Sequence, residues 1–216
     1  MSGGKLIILG GGGHARVVID ALLARGATIE GLVDPALAAG GKGAFDIRVL
    51  GGDEALIGRD PASVLLANGI GSTQSTERRR ARFEHFTGLG FAFVQVIHPS
   101  ATLARDACLA EGAQVMAGAV LQSGTTLGRN TLVNTRASLD HECRIADHVH
   151  IAPGATLSGG VAVGEGSHVG TGAIVIQGVR IGRNCLIGAG AVVLKDVPDG
   201  ATLVTPQSRV TAGAPS

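Results

Sequence analysis

The chain has 216 residues, a formal net charge of +1 and 45% hydrophobic residues, which allows one or two domains with a sizeable core. The near-zero net charge argues against a nucleic-acid-binding surface. Gly contributes 35 residues and aromatic side chains only 2%, a composition that suits narrow coils with tight corners better than a sandwich built on large rings.

Targeting and redox features point to the cytoplasm. The sequence has no run of 18 apolar residues and no recognisable signal peptide, so we expect no membrane insertion and a cytoplasmic protein. The cysteines Cys108, Cys143 and Cys185 are odd in number and lack CxxC spacing, which indicates neither a disulfide framework nor a structural zinc site.

Residues 1–98 alternate predicted strands with predicted helices. This order predicts a parallel sheet of βαβ units, a small Rossmann-like α/β domain that ends at His98 and Pro99. The predicted strands cover residues 5–9, 28–33, 47–50, 63–67 and 91–97, and the predicted helices cover residues 14–25, 53–57 and 74–86.

A glycine loop joins the first predicted strand to the first predicted helix. Residues 10–15 read G-G-G-G-H-A, which matches G-x-G-x-x-G/A, and Asp34 ends the next strand. Glycines allow a phosphate to approach the backbone at the positive end of a helix, and the carboxylate can bind ribose or base. The small domain favours a single nucleotide, with or without a sugar, over NAD. The alternative is a tight turn that binds nothing.

The loop at residues 68–72 follows another apolar strand of the same predicted sheet. Because the carboxyl ends of parallel strands meet at one edge, this loop is either the second wall of the nucleotide site or an ordinary loop. The arginines Arg78, Arg79, Arg80 and Arg82 could meet phosphates, but the interspersed acids favour the solvated face of a helix.

A period of six residues dominates residues 99–216. Every sixth residue from Leu103 to Val193 is Leu, Ile or Val, and a small or β-branched residue stands two positions before each. Six is three strand periods, so each hexad predicts a short strand and a corner, and three hexads predict one 18-residue coil of a parallel β-helix. The tail from Lys195 breaks the period, and we expect it to cap the last coil or lie along its side.

The coil length of 18 predicts which residues stack upon one another. Gly159 and Gly160 follow His141 and Glu142 by one coil, so we expect a notch beside His141 where a ligand backbone or acyl chain could rest. His150 and His168 are also one coil apart and are expected to form an outward stacked pair.

Three interpretations of the histidines compete. His141 could be a general base whose ring is oriented by Glu142 or Asp140. Alternatively, His141, His148, His150 and His168 could bind a metal, although no carboxylate or thiolate spacing supports a third ligand. In the third interpretation, the histidines are solvated turn residues. For His141 we favour the general base, because the fold does not require an empty notch beside it. For His85, His148 and His168 we favour the third interpretation. Cys143 occupies a small inward position, which favours a packed core thiol over a nucleophile.

Three motifs carry a resemblance over nearly the whole chain. They are G-G-G-H-A after the first strand, I-H-P-S-A at residues 97–101 and N-T-R-A-S-L-D-H-E-C at residues 134–143. With the hexads, they resemble the hexapeptide-repeat sugar acetyltransferase family, which includes sialic-acid O-acetyltransferases and bacillosamine-type nucleotide-amino-sugar N-acetyltransferases. The resemblance implies a Rossmann-like domain followed by a left-handed parallel β-helix of hexapeptide repeats.

The same resemblance implies an activity and a site. It implies a homotrimer that transfers acetyl from acetyl-CoA, without a metal, to the amine of a nucleotide-linked 4-amino-4,6-dideoxy sugar such as GDP-perosamine. His141 matches the family's catalytic base and Glu142 its carboxylate partner. The nucleotide-sugar contacts implied for this sequence are Gly12, Gly13, His14, Asp34 and Gly71. The acetyl-CoA contacts are His150, Thr171 and Ala189, to which the notch adds Gly159 and Gly160.

Two departures from the family pattern stand out. The tail reads V-T-P-Q-S at residues 204–208 where the family has a G-V-P-A-type motif, and Asp34 is followed by Pro35 where many members have paired acids. The sequence is also compatible with two alternative functions: O-acetylation of a sugar hydroxyl, and a non-catalytic or metal-binding hexapeptide-repeat trimer.

Overall fold

A computed structural model describes residues 5–205, which form an N-terminal α/β domain followed by a parallel β-helix. The five strands of the first domain form a parallel sheet in the order β3-β2-β1-β4-β5. These strands are β1 (Lys5–Leu9), β2 (Ile29–Val33), β3 (Val49–Gly51), β4 (Val64–Asn68) and β5 (Ala92–Phe93), and the helices are α1 (Gly13–Leu23) and α2 (Glu77–Gly88).

The central strand β1 explains why this sheet forms. Its residues from Leu6 to Leu9 are buried, since a parallel sheet covered on both faces requires a continuous apolar run. One face packs against α1, and the other packs against Phe83 and Phe86 of α2. The parallel βαβ order predicted from the sequence is therefore confirmed, although the predicted helix at residues 53–57 is only a short 3-10 turn, Asp53–Leu56.

The predicted strand at residues 91–97 is wrong as a single element. Its first part, β5, joins the N-terminal sheet, whereas β6 (Val96–Ile97) pairs with β9 (Gln114–Val115) in the β-helix. Ile97 stands six residues before Leu103 and packs against the core of the coils, so the period begins one hexad earlier than the sequence pattern indicated.

Two-residue strands on three faces build the β-helix. The first face holds β6, β9, β12 (Leu132–Val133), β15 (His150–Ile151), β18 (His168–Val169), β21 (Leu186–Ile187) and β23 (Thr202–Leu203). The second face holds β7 (Thr102–Leu103), β10 (Val120–Leu121), β13 (Ser138–Leu139), β16 (Thr156–Leu157), β19 (Ile174–Val175) and β22 (Val192–Val193). The third face holds β8 (Cys108–Leu109), β11 (Thr126–Leu127), β14 (Arg144–Ile145), β17 (Ala162–Val163) and β20 (Arg180–Ile181).

We name the corners by the faces they join. The first corner leads from the first face to the second, the second corner from the second face to the third, and the third corner back to the first. The predicted 18-residue stacking is confirmed by pairs such as Leu121 with Leu139 and His150 with His168. The aliphatic residue of each hexad points inward, and those from Val115 to Val193 are buried.

The tail continues the coil in a shortened form. Val197 bridges to Ile181 on the third face, and Leu203 pairs with Ile187 on the first face, so each follows its partner by 16 residues instead of 18. The prediction that the tail breaks the period is confirmed, but residues 196–203 extend the coil over the third and first faces rather than lying along its side. The motif at residues 204–208 lies mostly outside the described residues.

The N-terminal domain covers the first face and the third corner of the β-helix. Met116 and Leu132, which point outward from the first face, share a core with Val18 and Ile19 of α1. Phe83 of α2 packs edge-to-face on His148 at the third corner, with ring centroids 5.7 Å apart. Among the described residues, those of the second face and the second corner share no hydrophobic cluster with this domain.

An inward aliphatic residue should contribute far more to the free energy of unfolding than its outward neighbour does. We expect Leu127→Ala to lower the free energy of unfolding by about 2–5 kcal/mol, because the truncation leaves a cavity in a stacked core. Thr126→Ala, on the exposed side of the same strand, should cost less than about 1 kcal/mol. Equal losses in chemical denaturation would contradict the inward assignment.

Candidate active site

A cleft of about 570 Å³ opens where the N-terminal domain meets the first face of the β-helix. The glycine loop and the start of α1 form its floor, the ends of β2 and β4 form its sides, and the coil closes it. The cleft is lined by His150 and by all five predicted nucleotide-sugar contacts, which are Gly12, Gly13, His14, Asp34 and Gly71. Residues 69–73 form the second wall of this cleft.

The glycines of the loop differ in what they do. Gly10 has a φ of +97°, which an L side chain rarely adopts, and a Cβ there would lie 2.7 Å from Ile70. At Gly12 and Gly13, by contrast, a Cβ would meet no atom within 4 Å. Gly10 is therefore required by the fold, whereas Gly12 and Gly13 leave the floor of the cleft open.

Asp34 fixes the shape of the glycine loop. Its two carboxylate oxygens accept hydrogen bonds from the backbone N–H groups of Gly11, at 2.7 Å, and Ala36, at 2.9 Å. Each oxygen keeps a further lone pair, so the carboxylate can still accept a donor from the cleft.

A buried polar network supports the cleft from below, and sequence reasoning missed most of it. His14 Nε2 contacts Gln114 Oε1 at 2.9 Å, and Gln114 donates to the carbonyl of Asn68 at 2.8 Å. Asn68 also donates to Asn130 Oδ1 at 3.0 Å. Gln114 and Asn130 are polar residues in the repeat domain at sites that the N-terminal domain covers. Their burial depends on that domain packing, which the hexad pattern does not encode.

Arg79 contradicts the prediction of a solvated arginine face. Its side chain is buried and donates to the carbonyls of Asn68, Ile70 and Asn130 at 3.2, 2.8 and 3.3 Å. Burial lowers the pKa of the guanidinium to about 9, so it stays charged at neutral pH. The prediction fails because α2 turns this position inward, towards the loop that forms the cleft wall.

His150 and His168 form the predicted stacked pair, with ring centroids 4.7 Å apart. The prediction that His148 and His168 are solvated turn positions is wrong, since both are buried. His150 lies in the cleft wall, between Ser72 and Asn134. Desolvation by burial, followed by the neighbouring His168 and Arg79, holds the pKa of His150 well below its ordinary value, so this ring is neutral. His85 is exposed on α2, as predicted.

His141 and Glu142 occupy the second corner of the β-helix. His141 Nδ1 lies 3.4 Å from Glu142 Oε2, while Asp140 accepts a hydrogen bond from the backbone N–H of His141 at 2.8 Å. Of the two acids, therefore, Glu142 is the one that faces the ring. Glu142 has a φ of 59°, a conformation that it shares with the corner residues Asn130, Arg136, His148 and Asn184, so this backbone geometry belongs to the repeat.

The predicted empty notch beside His141 is wrong for Gly159. A Cβ on Gly159 would lie 2.3 Å from Cε1 and Nε2 of His141, so the imidazole itself occupies that space. Gly160 remains open, since the nearest atom to its Cβ position is 3.9 Å away. The glycine at position 159 thus serves to seat the ring of His141.

One chain separates the predicted site residues into two groups. His141, Glu142, Gly159 and Gly160 lie at the second corner, between the second and third faces. His150 lies on the first face, and Thr171 and Ala189 lie at the first corner, which borders that face. Because the second corner of a triangular coil is opposite the first face, a single chain does not bring the His141 group to the cleft.

Burial decides the role of Cys143. Cys143 is a buried core residue, as predicted, and burial raises the pKa of its thiol to about 11, so it is no nucleophile at neutral pH.

Residues 5–205 hold no cluster of three or more His, Cys, Asp or Glu arranged for a metal ion. Over the same residues, no helix is long and apolar enough to cross a membrane.

Comparisons with known proteins agree with this architecture. A family model described as the PglD N-terminal domain matches residues 5–83, and one described as bacterial transferase hexapeptide matches residues 160–195. Perosamine N-acetyltransferase from Caulobacter crescentus, in complex with CoA and GDP-perosamine, is 37% identical over 92% of both chains, with a TM-score of 0.83. The chain belongs to the hexapeptide-repeat sugar acetyltransferase family.

Other solved structures support the same assignment. The acetyltransferase domain of PglB from Neisseria gonorrhoeae, in complex with acetyl coenzyme A, is 37% identical over 92% of this chain and 94% of that one, with a TM-score of 0.85. WeeI from Acinetobacter baumannii, at 23% identity and a TM-score of 0.80, supports the fold. The expected fold, a Rossmann-like domain followed by a left-handed β-helix, is confirmed, and this family member is an acyltransferase. The alternative of a non-catalytic scaffold is therefore set aside.

Acid should destabilise this acetyltransferase through its buried histidines. Burial and the charge of Arg79 lower the pKa of His14 from 6.5 to about 4, against an opposing hydrogen bond to Gln114. The unfolded chain therefore binds a proton that the folded chain excludes. As pH falls from 6.5 to 4, the free energy of unfolding should decrease by about 3 kcal/mol through His14 alone. Denaturation of His14→Asn should show a flatter pH profile than denaturation of the wild type, and an unchanged profile would contradict this account.

Proposed function

We propose that this protein transfers the acetyl group of acetyl-CoA to the amine of a nucleotide-linked 4-amino-4,6-dideoxy sugar, with GDP-perosamine as the first candidate. The observation that carries the proposal is the open-floored glycine cleft at the junction with the hexapeptide coil. It is supported by 37% identity to a perosamine N-acetyltransferase that binds CoA and GDP-perosamine. The substrate contacts are Gly12, Gly13, His14, Asp34 and Gly71.

In the proposed reaction, the amine nitrogen attacks the thioester carbonyl carbon. A C–N bond forms, the C–S bond breaks, and His141 takes the proton from the nitrogen and returns it to the departing CoA thiolate. Glu142, 3.4 Å from His141 Nδ1, orients the ring and stabilises the imidazolium. A backbone N–H stabilises the oxyanion. Direct transfer needs no acyl-enzyme, consistent with the inert Cys143.

The separation of the two groups of residues supports a homotrimer whose sites lie between chains. In this arrangement, the cleft and first corner of one chain, with His150, Thr171 and Ala189, face His141 and Glu142 of the next. Acetyl-CoA then lies along the β-helix between subunits. The outward residues Ile174 and Val192 of the second face are 46% and 51% exposed, which suits burial by another chain. The three free cysteines fit a reducing compartment, so we assign the reaction to the cytoplasm.

A substrate panel tests the proposal. The protein is incubated with acetyl-CoA and amino sugars linked to GDP, UDP and dTDP, each paired with its hydroxyl counterpart, and the products are weighed. We expect an acetylated amino sugar and release of CoA. Acetylation of only the hydroxyl compounds would identify the O-acetyltransferase alternative, and no acetylated product with any acceptor would overturn the proposal.

A further inference from the structure

Three side chains form a hydrogen-bonded chain at the junction between the cleft and the coil. Ser72 Oγ lies 2.6 Å from His150 Nδ1, and Asn134 Nδ2 lies 3.2 Å from His150 Nε2. All three residues line the cleft, and His150 is only 4% exposed. The chain thus links the substrate loop of the N-terminal domain to the first face of the β-helix.

One backbone hydrogen bond determines the direction of the donors in this chain. Asn134 Oδ1 accepts the N–H of Thr135 at 2.8 Å, so the amide nitrogen of Asn134 faces His150. That nitrogen donates to Nε2, which must therefore be the unprotonated ring nitrogen of the neutral imidazole. The proton of His150 then sits on Nδ1 and is donated to Ser72 Oγ.

The proton position on His150 leaves the Ser72 hydroxyl free to donate to another group. Since Oγ accepts from His150, its own hydrogen is directed elsewhere, and within residues 5–205 the side chain of Ser72 makes no other hydrogen bond. Ser72 is one of the residues that line the cleft. His150, with both ring nitrogens engaged, acts through Ser72 and not as a proton acceptor.

The neighbours of Ser72 indicate what it binds. The adjacent Gly71 lies against the first turn of α1, where a Cβ would sit 3.1 Å from His14 Cβ, and helix geometry leaves the first amides of α1 without partners. Arg78 lines the same wall, and the charge of buried Arg79 lies behind it. Asp34, the one acid among the described lining residues, stands across the glycine loop, at the end of β2. Donors and positive charge therefore converge on the Ser72 side, which suits a phosphate.

We propose that Ser72 is a substrate-binding residue that donates to the sugar-side phosphate of a nucleoside diphosphate, and that His150 and Asn134 are the positioning residues that aim it. This inference rests on the proposed function, and it assigns an orientation to the nucleotide sugar in the cleft. The nucleoside lies towards Asp34, the diphosphate lies across the glycine loop, and the sugar lies towards the coil.

Calorimetry on the full chain tests this inference. GDP, UDP and dTDP are titrated into the wild type, and the tightest binder is compared with its monophosphate in each variant. Ser72→Ala should weaken the diphosphate about tenfold or more and the monophosphate less than about twofold, while Ser72→Thr should restore diphosphate binding. Equal weakening of both nucleotides, or none of either, would overturn the inference, as would a wild type that binds no diphosphate.

A second measurement separates positioning from mere structural support. The double variant Ser72→Ala/His150→Leu should bind the diphosphate no more weakly than the weaker single variant, because His150 acts through Ser72. Nitrogen-15 NMR of the wild type should show His150 protonated at Nδ1, and a proton on Nε2 would contradict the proposed direction.

If diphosphate binding depends on Ser72 but the panel yields no acetylated sugar, the proposed function fails while this inference stands. If sugars are acetylated and Ser72→Ala changes nothing, only this inference fails.

Discussion

His141→Asn should lower kcat for acetyl transfer by about a thousandfold while leaving the Kd of both substrates within about twofold. The asparagine keeps a polar side chain at the second corner but cannot take the proton of the attacking amine, and general-base catalysis typically contributes factors of this size. A perosamine N-acetyltransferase with a His-to-Asn substitution has been crystallised with both CoA and GDP-perosamine, so such a change is compatible with binding in that relative.

Two comparisons control this prediction. His85→Asn replaces an exposed histidine of α2 and should keep wild-type kcat. Gly159→Ala puts a methyl group 2.3 Å from the His141 ring, so it should reduce kcat by displacing that ring while the cleft remains intact. Near-wild-type turnover by His141→Asn, with both substrates bound, would remove His141 from the mechanism.

Gly13→Leu should raise the KM for the nucleotide sugar by about a hundredfold with little change in the KM for acetyl-CoA. A Cβ at this position meets no protein atom within 4 Å, and the space it enters is the floor of the cleft. The fold therefore tolerates the side chain, and the lost affinity belongs to the excluded ligand. Steady-state kinetics with each substrate varied in turn measure the effect.

Gly88→Leu is the matched control, because Gly88 is also at a helix end and its Cβ would likewise meet nothing within 4 Å. It lies outside the cleft and should leave both KM values unchanged. Comparable denaturation midpoints for the two variants would show that Gly13→Leu acts on binding. An unchanged KM for the sugar in Gly13→Leu would show that the substrate does not cross the glycine loop.

The repetitive part of the fold could be predicted because its pattern is local. An inward aliphatic every six residues fixes the strand, and coil stacking fixes its neighbours, so the pairing of His150 with His168 followed from counting alone. The irregular last turn could not be predicted in this way, since its 16-residue length depends on how Val197 and Leu203 fill the end of the core.

The candidate site could be predicted only in part, because burial at the junction is a property of two domains together. The glycine loop and the position of Asp34 come from local chemistry. Arg79 reads as a surface residue of a charged helix, yet it is buried once the loop at residues 68–70 packs over it. His148 and His168 likewise read as solvated, yet both are buried, and Phe83 of α2 packs on His148.

The central claim is that the cleft of one chain works with His141 of another, and subunit mixing tests it most directly. His141→Asn and Gly13→Leu, each with negligible activity at low sugar concentration, are unfolded together in equal amounts and refolded. If each site takes its cleft and its base from different chains, random mixing in a trimer should restore about one quarter of the wild-type rate, since half the clefts and half the bases are intact. A mixture no more active than its two components would contradict a site shared between chains.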